Sequence, residues 1–471
     1  MKTSPLNWII GTASFGFMVV QLDVTIVNVA LSTIAADLHT DVSGLQWVVD
    51  AYTLAFAVLL LSAGMLGDRF GSRRVYIGGF ALFMVASVAC GLASNAAMLI
   101  TSRAVQGIGA ALLVPSSLSI LNHACGDDHA KRAHAVGWWT ASGGVSIAAG
   151  PIVGGVLLDC LGWRSIFLVN LPICLLAIGL TLRIVPPSKV DGSSRALDLP
   201  GQFLALIMVA SLTGAVIESG HLGLTDLFVL GGFILAALST VAFIAVEPRV
   251  KTPMLPLGFF RMRNFSAAVV FGVFMNLAYY GIIFVLSFYL QQVLRYSPLE
   301  TGLAYLPLTA TFIFSNVASG WLSERLGNRA LMIFGSLIGV IGYALLHSLD
   351  QHSSYRAMLV PFFLIPMGMG VAVPAMTTTI LSSVERKVSG IASAVLNAAR
   401  QTGGAIGVAW YGAMVAGDGR IVSGLKFSVL CSASLLLAAA VLAWCAIEPE
   451  TGRAKPGGKE RSPSPLRVNG E

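Results

Sequence analysis

Long apolar runs dominate the chain, and their number and length constrain its fold more than any single motif. Each run has about 17–25 residues, the length with which an α-helix crosses ~30 Å of hydrocarbon. The fourteen runs are Trp8–Leu31, Trp47–Leu66, Val75–Leu92, Met98–Leu121, Ala135–Leu158, Ser165–Leu182, Leu199–Ile217, Leu227–Val246, Phe265–Leu290, Gly302–Leu322, Ala330–His347, Met358–Leu381, Ile391–Met414 and Phe427–Cys445. Charged residues make up only 11% of the composition, against roughly a quarter in soluble domains. We therefore predict an all-α polytopic membrane protein of a cell membrane.

The positions of Lys and Arg predict how the chain crosses the bilayer. If both termini lie on one side, 22 of the 29 Lys and Arg residues fall on that side and five fall in loops on the other. Such an excess marks the cytoplasmic side. We therefore expect fourteen transmembrane helices with both termini cytoplasmic. Because these loops account for the net charge of +7, the charge does not indicate a nucleic-acid partner.

A charged connection between the second and third runs recurs later in the chain. The segment Gly64–Arg74 has a counterpart in Gly320–Arg329, between the tenth and eleventh runs. Five positions match at an offset of 256 residues: Gly64 with Gly320, Asp68 with Glu324, Arg69 with Arg325, Gly71 with Gly327, and Arg73 with Arg329. At about 32 residues per span and loop, this offset equals eight spans. We predict six-helix bundles at 1–185 and 265–447, a linker with two inserted helices at 186–264, and a disordered cytoplasmic tail at 448–471.

The repeated frame Gly-x-x-x-Asp-Arg-x-Gly-x-Arg-Arg resembles the signature loop of the major facilitator superfamily. Four further stretches resemble motifs of its fourteen-helix drug:proton antiporter family: Leu22–Leu31, Arg103–Leu112, Gly144–Gly155 and Leu396–Gly407. Within that family, Leu45–Thr53 and the chain length are most similar to methylenomycin-resistance-type exporters. One departure is Ser32, since the family's first motif usually ends in proline.

The resemblance implies an efflux transporter and not an enzyme. Its bundles would rock around a midplane site, expelling a small lipophilic drug or antibiotic across the bacterial cytoplasmic membrane in exchange for protons. No nucleotide-binding or hydrolase motif appears, so we expect a proton gradient and no cofactor to supply the energy. We expect a monomer. The alternatives are a proton-coupled exporter of an endogenous metabolite and a non-transporting membrane receptor or scaffold.

Two charged residues within the spans are the candidates for proton coupling. Asp23 reads as the only acid deep in a span, and Arg103 lies inside the fourth span. A buried carboxyl group is costly unless it is functional, paired or protonated, so Asp23 could carry a proton that Arg103 controls. Alternatively, Asp23 is a structural hydrogen-bonding partner and Arg103 is a static tie between helices. The sequence does not decide whether the two meet.

Further polar residues in the spans are candidates for lining a substrate cavity. Asp50, three residues after Trp47, has two interpretations: a solvated carboxylate at a helix end, or a point of substrate or proton entry. Arg400 and Asn397 share one face of the thirteenth predicted helix. The other candidates are Asn28, Tyr52, Gln106, Asn276, Tyr279 and Tyr280. For any one of these, a hydrogen bond between helices is an equally good explanation.

Two motifs suggest conformational roles. Gly150, Pro151, Gly154 and Gly155 would kink the fifth helix and let a neighbour pack closely, which fits a hinge, a seal or plain tight packing. Asp68 and Arg69, with Glu324 and Arg325 as the weaker echo, would form a latch at the cytoplasmic gate, or else only set topology.

A cluster of His and Cys between His123 and His134 lacks standard ligand spacing, so we predict no metal site.

Overall fold

The computed structural model describes residues 6–126, 129–187, 198–250, 253, 255, 257–384, 389–416 and 419–448, and the regular structure within them is helical. The first seven helices are α1 (Leu6–Leu38), α2 (Val42–Phe70), α3 (Ser72–Gly91), α4 (Ala96–Cys125), α5 (His129–Leu161), α6 (Ser165–Leu168) and α7 (Asn170–Ile184). Two more follow, α8 (Leu199–Leu222) and α9 (Leu227–Val246). The last seven are α10 (Arg263–Phe288), α11 (Pro298–Ala304), α12 (Leu306–Leu326), α13 (Asn328–Leu346), α14 (Tyr355–Ser382), α15 (Ser389–Val415) and α16 (Ile421–Ala446). All but the first residue of the predicted tail lies outside the described residues.

The described residues include twelve helical segments long and apolar enough to cross a membrane, which confirms a multi-pass protein. The sixth predicted span is interrupted at Val169, between α6 and α7, and the tenth at Tyr305, between α11 and α12. Two long helices, α12 and α15, are not among the twelve because their polar residues lower the mean hydropathy. The count of fourteen crossings therefore stays a prediction.

The repeated motif forms the same tight turn twice. Gly71 alone separates α2 from α3, and Gly327 alone separates α12 from α13. Both glycines have positive φ, +88° and +77°, a backbone conformation that strains residues with a Cβ. The same physical reason therefore explains the glycine at both positions: a single residue connects two helices there and must adopt a positive φ.

The helices pack into two groups, which we call the amino bundle (α1–α7) and the carboxy bundle (α10–α16). In the amino bundle α1 packs on α5 and α4, while α2 and α3 both pack on α4; in the carboxy bundle α10 packs on α15 and α16, and α13 on α14. Small residues make the closest approaches possible. A Cβ added to Gly335 would lie 2.5 Å from the carbonyl oxygen of Gly368, so α13 and α14 meet backbone to backbone.

The bundles meet along a seam near one end of the molecule. We call this end the far face and the opposite end, where α1 begins and α16 ends, the terminal face. Across the seam α2 contacts α15 and α5 contacts α11. One apolar cluster takes residues from both bundles, including Ile26 and Leu45 from the amino side and Phe284 and Val408 from the carboxy side. The seam is therefore closed at the far face.

The two helices between the bundles lie against this seam. α8 contacts both α2 and α15, and α9 packs on α8. Glu218 of α8 accepts hydrogen bonds from the Ser43 hydroxyl at 3.1 Å and from the Trp47 indole at 3.3 Å. These polar contacts fasten α8 to the amino bundle.

Candidate functional site

Asp23 lies at the middle of α1 with no solvent exposure. Its Oδ2 accepts a hydrogen bond from Nη1 of Arg103 on α4, and the two residues form a buried ion pair. Its Oδ1 accepts hydrogen bonds from Gln106 at 2.8 Å and from Asn170 at 3.0 Å. The two candidates for proton coupling are therefore in direct contact, which the sequence left open.

Arg103 is enclosed on every side by the amino bundle. Its Nε donates to the carbonyl oxygen of Val48 on α2 at 3.2 Å, and its Nη1 also donates to Gln106 at 2.7 Å. The guanidinium carbon lies 4.2 Å from the centre of the Tyr52 ring and 5.8 Å from that of Phe167. A guanidinium without water is stabilised by such cation–π contacts and by its counter-ion. Tyr52 and Gln106, predicted to line a cavity, both contact Arg103 in this conformation, and their role in a cavity stays a prediction.

Further polar contacts hold the two amides that donate to Asp23 in position. Gln106 and Asn170 both donate to the Ser87 hydroxyl, at 3.1 Å and 3.0 Å, and Ser87 donates to the carbonyl oxygen of Phe167 at 2.8 Å. Asn170 was not singled out from the sequence. The available signal was an amide in the apolar sixth span, at the point where α7 begins after the interruption at Val169.

This arrangement pairs an anion with a cation in a region from which water is excluded. The pair is neutral overall and every oxygen of Asp23 has a donor, so the carboxylate is well stabilised while Arg103 stays in place. Adding a proton to Asp23 would remove the negative charge that holds the guanidinium and weaken the tie between α1 and α4. The pair therefore ties α1 to α4 through opposite charges.

Asp50 differs from Asp23 in having no partner. It is fully buried, and neither carboxyl oxygen has a hydrogen-bond donor within reach among the described residues. The interpretation as a solvated helix-end carboxylate is wrong, since α2 begins at Val42 and Asp50 lies in its third turn. Asp23 is consequently not the only acid deep in a span.

The remaining cavity candidates fall into separate places. Asn28 and Asn397 each donate to a carbonyl of their own helix, Val24 at 3.2 Å and Ser393 at 3.1 Å. In the carboxy bundle Asn276 donates to the carbonyl of Gly272 at 2.8 Å, and a Cβ on Gly272 would lie 3.2 Å from Cγ of Arg400.

Asn276 and Arg400 therefore share one locality between α10 and α15. Tyr279 and Tyr280 form an edge-to-face pair, their ring centres 5.5 Å apart, and the Tyr280 ring packs 3.1 Å from the Cβ position of Gly404. All four side chains stand apart from the Asp23–Arg103 pair, on the other side of the seam.

The glycine motif of α5 lies where the bundles meet. A Cβ on Gly150 would lie 1.9 Å from Oγ1 of Thr25, and one on Gly154 would lie 2.9 Å from Ile26, both on α1. A Cβ on Gly155 would lie 2.6 Å from Cα of Leu299 in α11. Pro151 lies within α5, and its carbonyl would be 2.2 Å from a Cβ on Gly302. The motif therefore allows backbone contact both inside the amino bundle and across the seam.

Two glutamines, neither singled out from the sequence, add hydrogen bonds across the seam. Nε2 of Gln46 on α2 donates to the carbonyls of Val408 at 3.0 Å and Ala409 at 2.6 Å on α15. Nε2 of Gln291, in a π-helical turn after α10, donates to the carbonyl of Val29 on α1 at 3.0 Å. Each bundle thus supplies one amide to the backbone of the other.

At the terminal face, the repeated motif ties helices together within each bundle. Arg73 donates to the carbonyl of Leu182 at 2.7 Å, and its counterpart Arg329 donates to that of Trp444 at 2.6 Å. Arg69 and Arg325 are exposed and lie over neighbouring aromatic rings. Gly64 and Gly320 lie within α2 and α12. The side chains of Asp68 and Glu324 lie outside the described part, so the predicted latch stays a prediction.

Comparison with known proteins agrees with this architecture. A family model described as "Major Facilitator Superfamily" matches residues 13–408. The chain is 37% identical to the Methylenomycin A resistance protein of Bacillus subtilis (strain 168), with 94% of each chain covered. It is 34% identical to the Tetracenomycin C resistance and export protein of Streptomyces glaucescens, with 85% of this chain and 74% of that protein covered.

Among solved structures, the chain is similar to the inward open conformation of the xylose transporter XylE from E. coli. The TM-score is 0.67 at 17% sequence identity, and the match covers 95% of this chain and 98% of that one. At this identity the likeness concerns the fold alone.

Proposed function

Because this chain belongs to the Major Facilitator Superfamily, and is thus a bacterial multi-pass membrane transporter and not an enzyme, we propose that it exports a small lipophilic antibiotic in exchange for protons. Its relatives include proteins named for resistance to methylenomycin A and for resistance to and export of tetracenomycin C. These names support a drug-like substrate.

The proposed topology has fourteen crossings with both termini in the cytoplasm. The excess of Lys and Arg on the terminal side supports this orientation. α12 and α15 have 21 and 27 residues, and at 1.5 Å per residue each is long enough to cross ~30 Å of hydrocarbon. The closed seam then faces outwards, so the conformation described is inward-facing.

The buried pair of Asp23 and Arg103 is the single observation that carries the proposal of proton coupling. Drug export against a gradient needs a group that is charged in one conformation and neutral in another. Asp23 is the candidate for this group because it is buried and its two oxygens accept from three donors, one of them the Arg103 guanidinium. In the outward-facing state it would take up a proton from outside, and it would release the proton when the pair with Arg103 forms again.

The same helix links this pair to the seam. α1 carries Asp23 and also Thr25, Ile26 and Val29, which touch the α5 glycines and Gln291. Opening of the far face would break the hydrogen bond from Gln291 to Val29, which crosses the seam within two turns of Asp23. Protonation and gate opening are thereby coupled through one helix.

Asp50 is the second candidate for carrying a proton in this mechanism. It is a carboxyl group buried within α2, close to the seam, and among the described residues no donor contacts either of its oxygens. Its neighbours along α2, Trp47 and Leu54, pack with Val209 of α8 and Ala405 of α15. Opening of the seam would expose this place to outside water, from which Asp50 could take up the proton.

The drug would bind between the bundles, where Asn276, Tyr280 and Arg400 offer polar groups on the carboxy side. Arg400 has no acidic partner among the described residues, which favours the binding of neutral or anionic drugs. Asp68 and Glu324 would latch the cytoplasmic gate in the outward-facing state.

The test uses purified protein in liposomes with a trapped pH indicator and an imposed pH gradient. Adding drug to liposomes that contain the wild type should cause protons to cross the membrane, which the trapped indicator reports as a change in lumenal pH. If Asp23 is the carrier, Asp23→Asn abolishes this flux while Asp50→Asn retains it; if Asp50 is the carrier, the pattern reverses. Asn28→Ala, which removes a side chain bonded only to its own helix, is the control. Drug transport by the wild type without proton movement would refute antiport.

A further inference from the structure

A groove lies on the outer surface of the carboxy bundle, away from the seam. It runs between α10 and α16, with Val270 and Phe274 on one wall and Leu437, Ala438 and Val441 on the other, and has a volume of about 630 Å³. Val270, Leu437 and Val441 are 40%, 51% and 55% exposed. The groove is therefore an apolar surface that faces lipid in a membrane.

At its terminal-face end the groove reaches two arginines. The groove ends at Cys445, whose carbonyl oxygen accepts a hydrogen bond from Arg263, the first residue of α10. The adjacent carbonyl, that of Trp444, accepts from Arg329 of α13. Two guanidinium groups from different helices thus converge on the last turn of α16, beside the mouth of the groove.

Within the part of the chain that the structure describes, no carboxylate pairs with either of these two arginines. Each guanidinium has further N–H groups beyond the one that caps α16. Arg263 is exposed. The Arg329 guanidinium lies 5.0 Å from the ring centre of Trp444, which is 66% exposed. An exposed tryptophan at a helix end marks the depth of the lipid headgroups.

We infer that this groove and its two arginines form a binding site for an anionic phospholipid, with one acyl chain in the groove and the phosphate at Arg263 and Arg329. The apolar walls match a hydrocarbon chain, and a planar guanidinium is suited to phosphate oxygens. The lipid site does not involve the Asp23–Arg103 pair, so it can be tested independently of the proposed transport function.

The amino bundle provides an internal comparison. Arg73 caps the end of α7 in the way that Arg329 caps the end of α16. In the first half, however, the residue that corresponds to Arg263 by the 256-residue offset is Asn7, and no basic side chain stands there. Capping a helix end accounts for Arg73 and for one hydrogen bond of Arg329, while the first half has an amide, Asn7, at the position of the second arginine.

The experiment measures lipid retention by native mass spectrometry and the midpoint of thermal unfolding of the purified full chain in detergent. The probes are phosphatidylglycerol, phosphatidylcholine and inorganic phosphate. We expect the wild type to bind phosphatidylglycerol in preference to phosphatidylcholine and inorganic phosphate to have no effect. Arg263→Gln should weaken phosphatidylglycerol binding about fivefold and leave phosphatidylcholine unchanged. Ala438→Phe, which fills the groove, should weaken both lipids.

Two variants serve as matched controls. Arg183→Gln removes an exposed positive charge from the terminal face at the end of α7, and Ala237→Phe adds a ring to the exposed surface of α9. Both should bind phosphatidylglycerol as the wild type does. Equal binding of the two lipids by the wild type would overturn the proposal, as would stabilisation by inorganic phosphate alone. A chain dimer that Ala438→Phe dissociates would assign the groove to a second copy and overturn it too.

Discussion

The Gln46 side chain occupies the space that Gly412 leaves beside α15. A Cβ at position 412 would lie 2.3 Å from Nε2 of Gln46 and 2.5 Å from its Cδ. The glycine therefore admits the amide that bonds to the carbonyls of Val408 and Ala409. The absence of a side chain at Gly412 thus allows Gln46 to hold α2 against α15 at the seam.

Gly412→Ala should displace the Gln46 amide and favour opening of the far face. Loss of hydrogen bonds worth about 1 kcal/mol corresponds to roughly a fivefold shift towards the outward-facing state. Spin labels at Ala36 and Ser423, on opposite sides of the seam in a cysteine-free background, would report the change as a longer distance. Gly78→Ala, which adds a methyl group in open space, is the control and should leave the distances unchanged.

Asp23→Asn should destabilise the protein strongly, because it leaves Arg103 buried without its counter-ion. Removing one partner of such a pair typically costs about 3–5 kcal/mol. The double variant Asp23→Asn with Arg103→Met should be less destabilised than the sum of the two single variants. Thermal unfolding of all four proteins in one detergent measures this coupling. Additive effects would mean that the pair is not an energetic unit.

Asn170→Ala should impair transport although Asn170 does not touch Arg103. The variant removes one of three donors to Asp23 and leaves Ser87 with one fewer partner, a loss of about 1.5–3 kcal/mol for a bond to a charged group. Initial rates of drug-evoked proton flux and unfolding midpoints measure the effect. Asn28→Ala lies nearby on α1 and should have a much smaller effect, since Asn28 bonds only to Val24. Equal behaviour of the two variants would count against the network.

Gly302→Ala should prevent closure of the far face. Its Cβ would lie 2.2 Å from the carbonyl oxygen of Pro151, and backbone on both sides leaves no flexible atom to move. We expect at least a tenfold loss of transport with the protein still folded, because each bundle keeps its own core. Gly320→Ala in α12 is the matched control, since it meets nothing within 4 Å and favours the helix by up to about 1 kcal/mol. A fully active Gly302→Ala would show that this contact is dispensable.

Features repeated in the sequence were predictable, and contacts between distant residues were not. The 256-residue offset identified Gly71 and Gly327, and the structure gives both the positive φ that explains them. Asp50 was misplaced because apolarity begins at Trp47, whereas the helix begins at Val42. The overlooked signal was Asp41, whose side chain caps the helix by accepting from Gly44.

The candidate site was predictable in composition but not in geometry. An acid or an arginine within an apolar span carries a high free-energy cost of burial and is therefore rare, so Asp23 and Arg103 were identifiable from the sequence. Asn170, Gln46 and Gln291 carry no charge and are common in helices of every kind. Their roles depend on partners as many as 363 residues away, which no local pattern encodes.

The attachment of α8 has a consequence for the speed of the transport cycle. Glu218 fastens α8 to Ser43 and Trp47 of the amino bundle by hydrogen bonds, whereas α8 meets α15 through small and apolar residues, with Gly220 against Ala413 and Val209 beside Ala405. If the bundles rock as proposed, we expect the hydrogen bonds of Glu218 to keep α8 on the amino bundle while its apolar contact with α15 shifts. The fit between α8 and α15 would then affect the rate of this movement and leave the affinity for substrate unchanged.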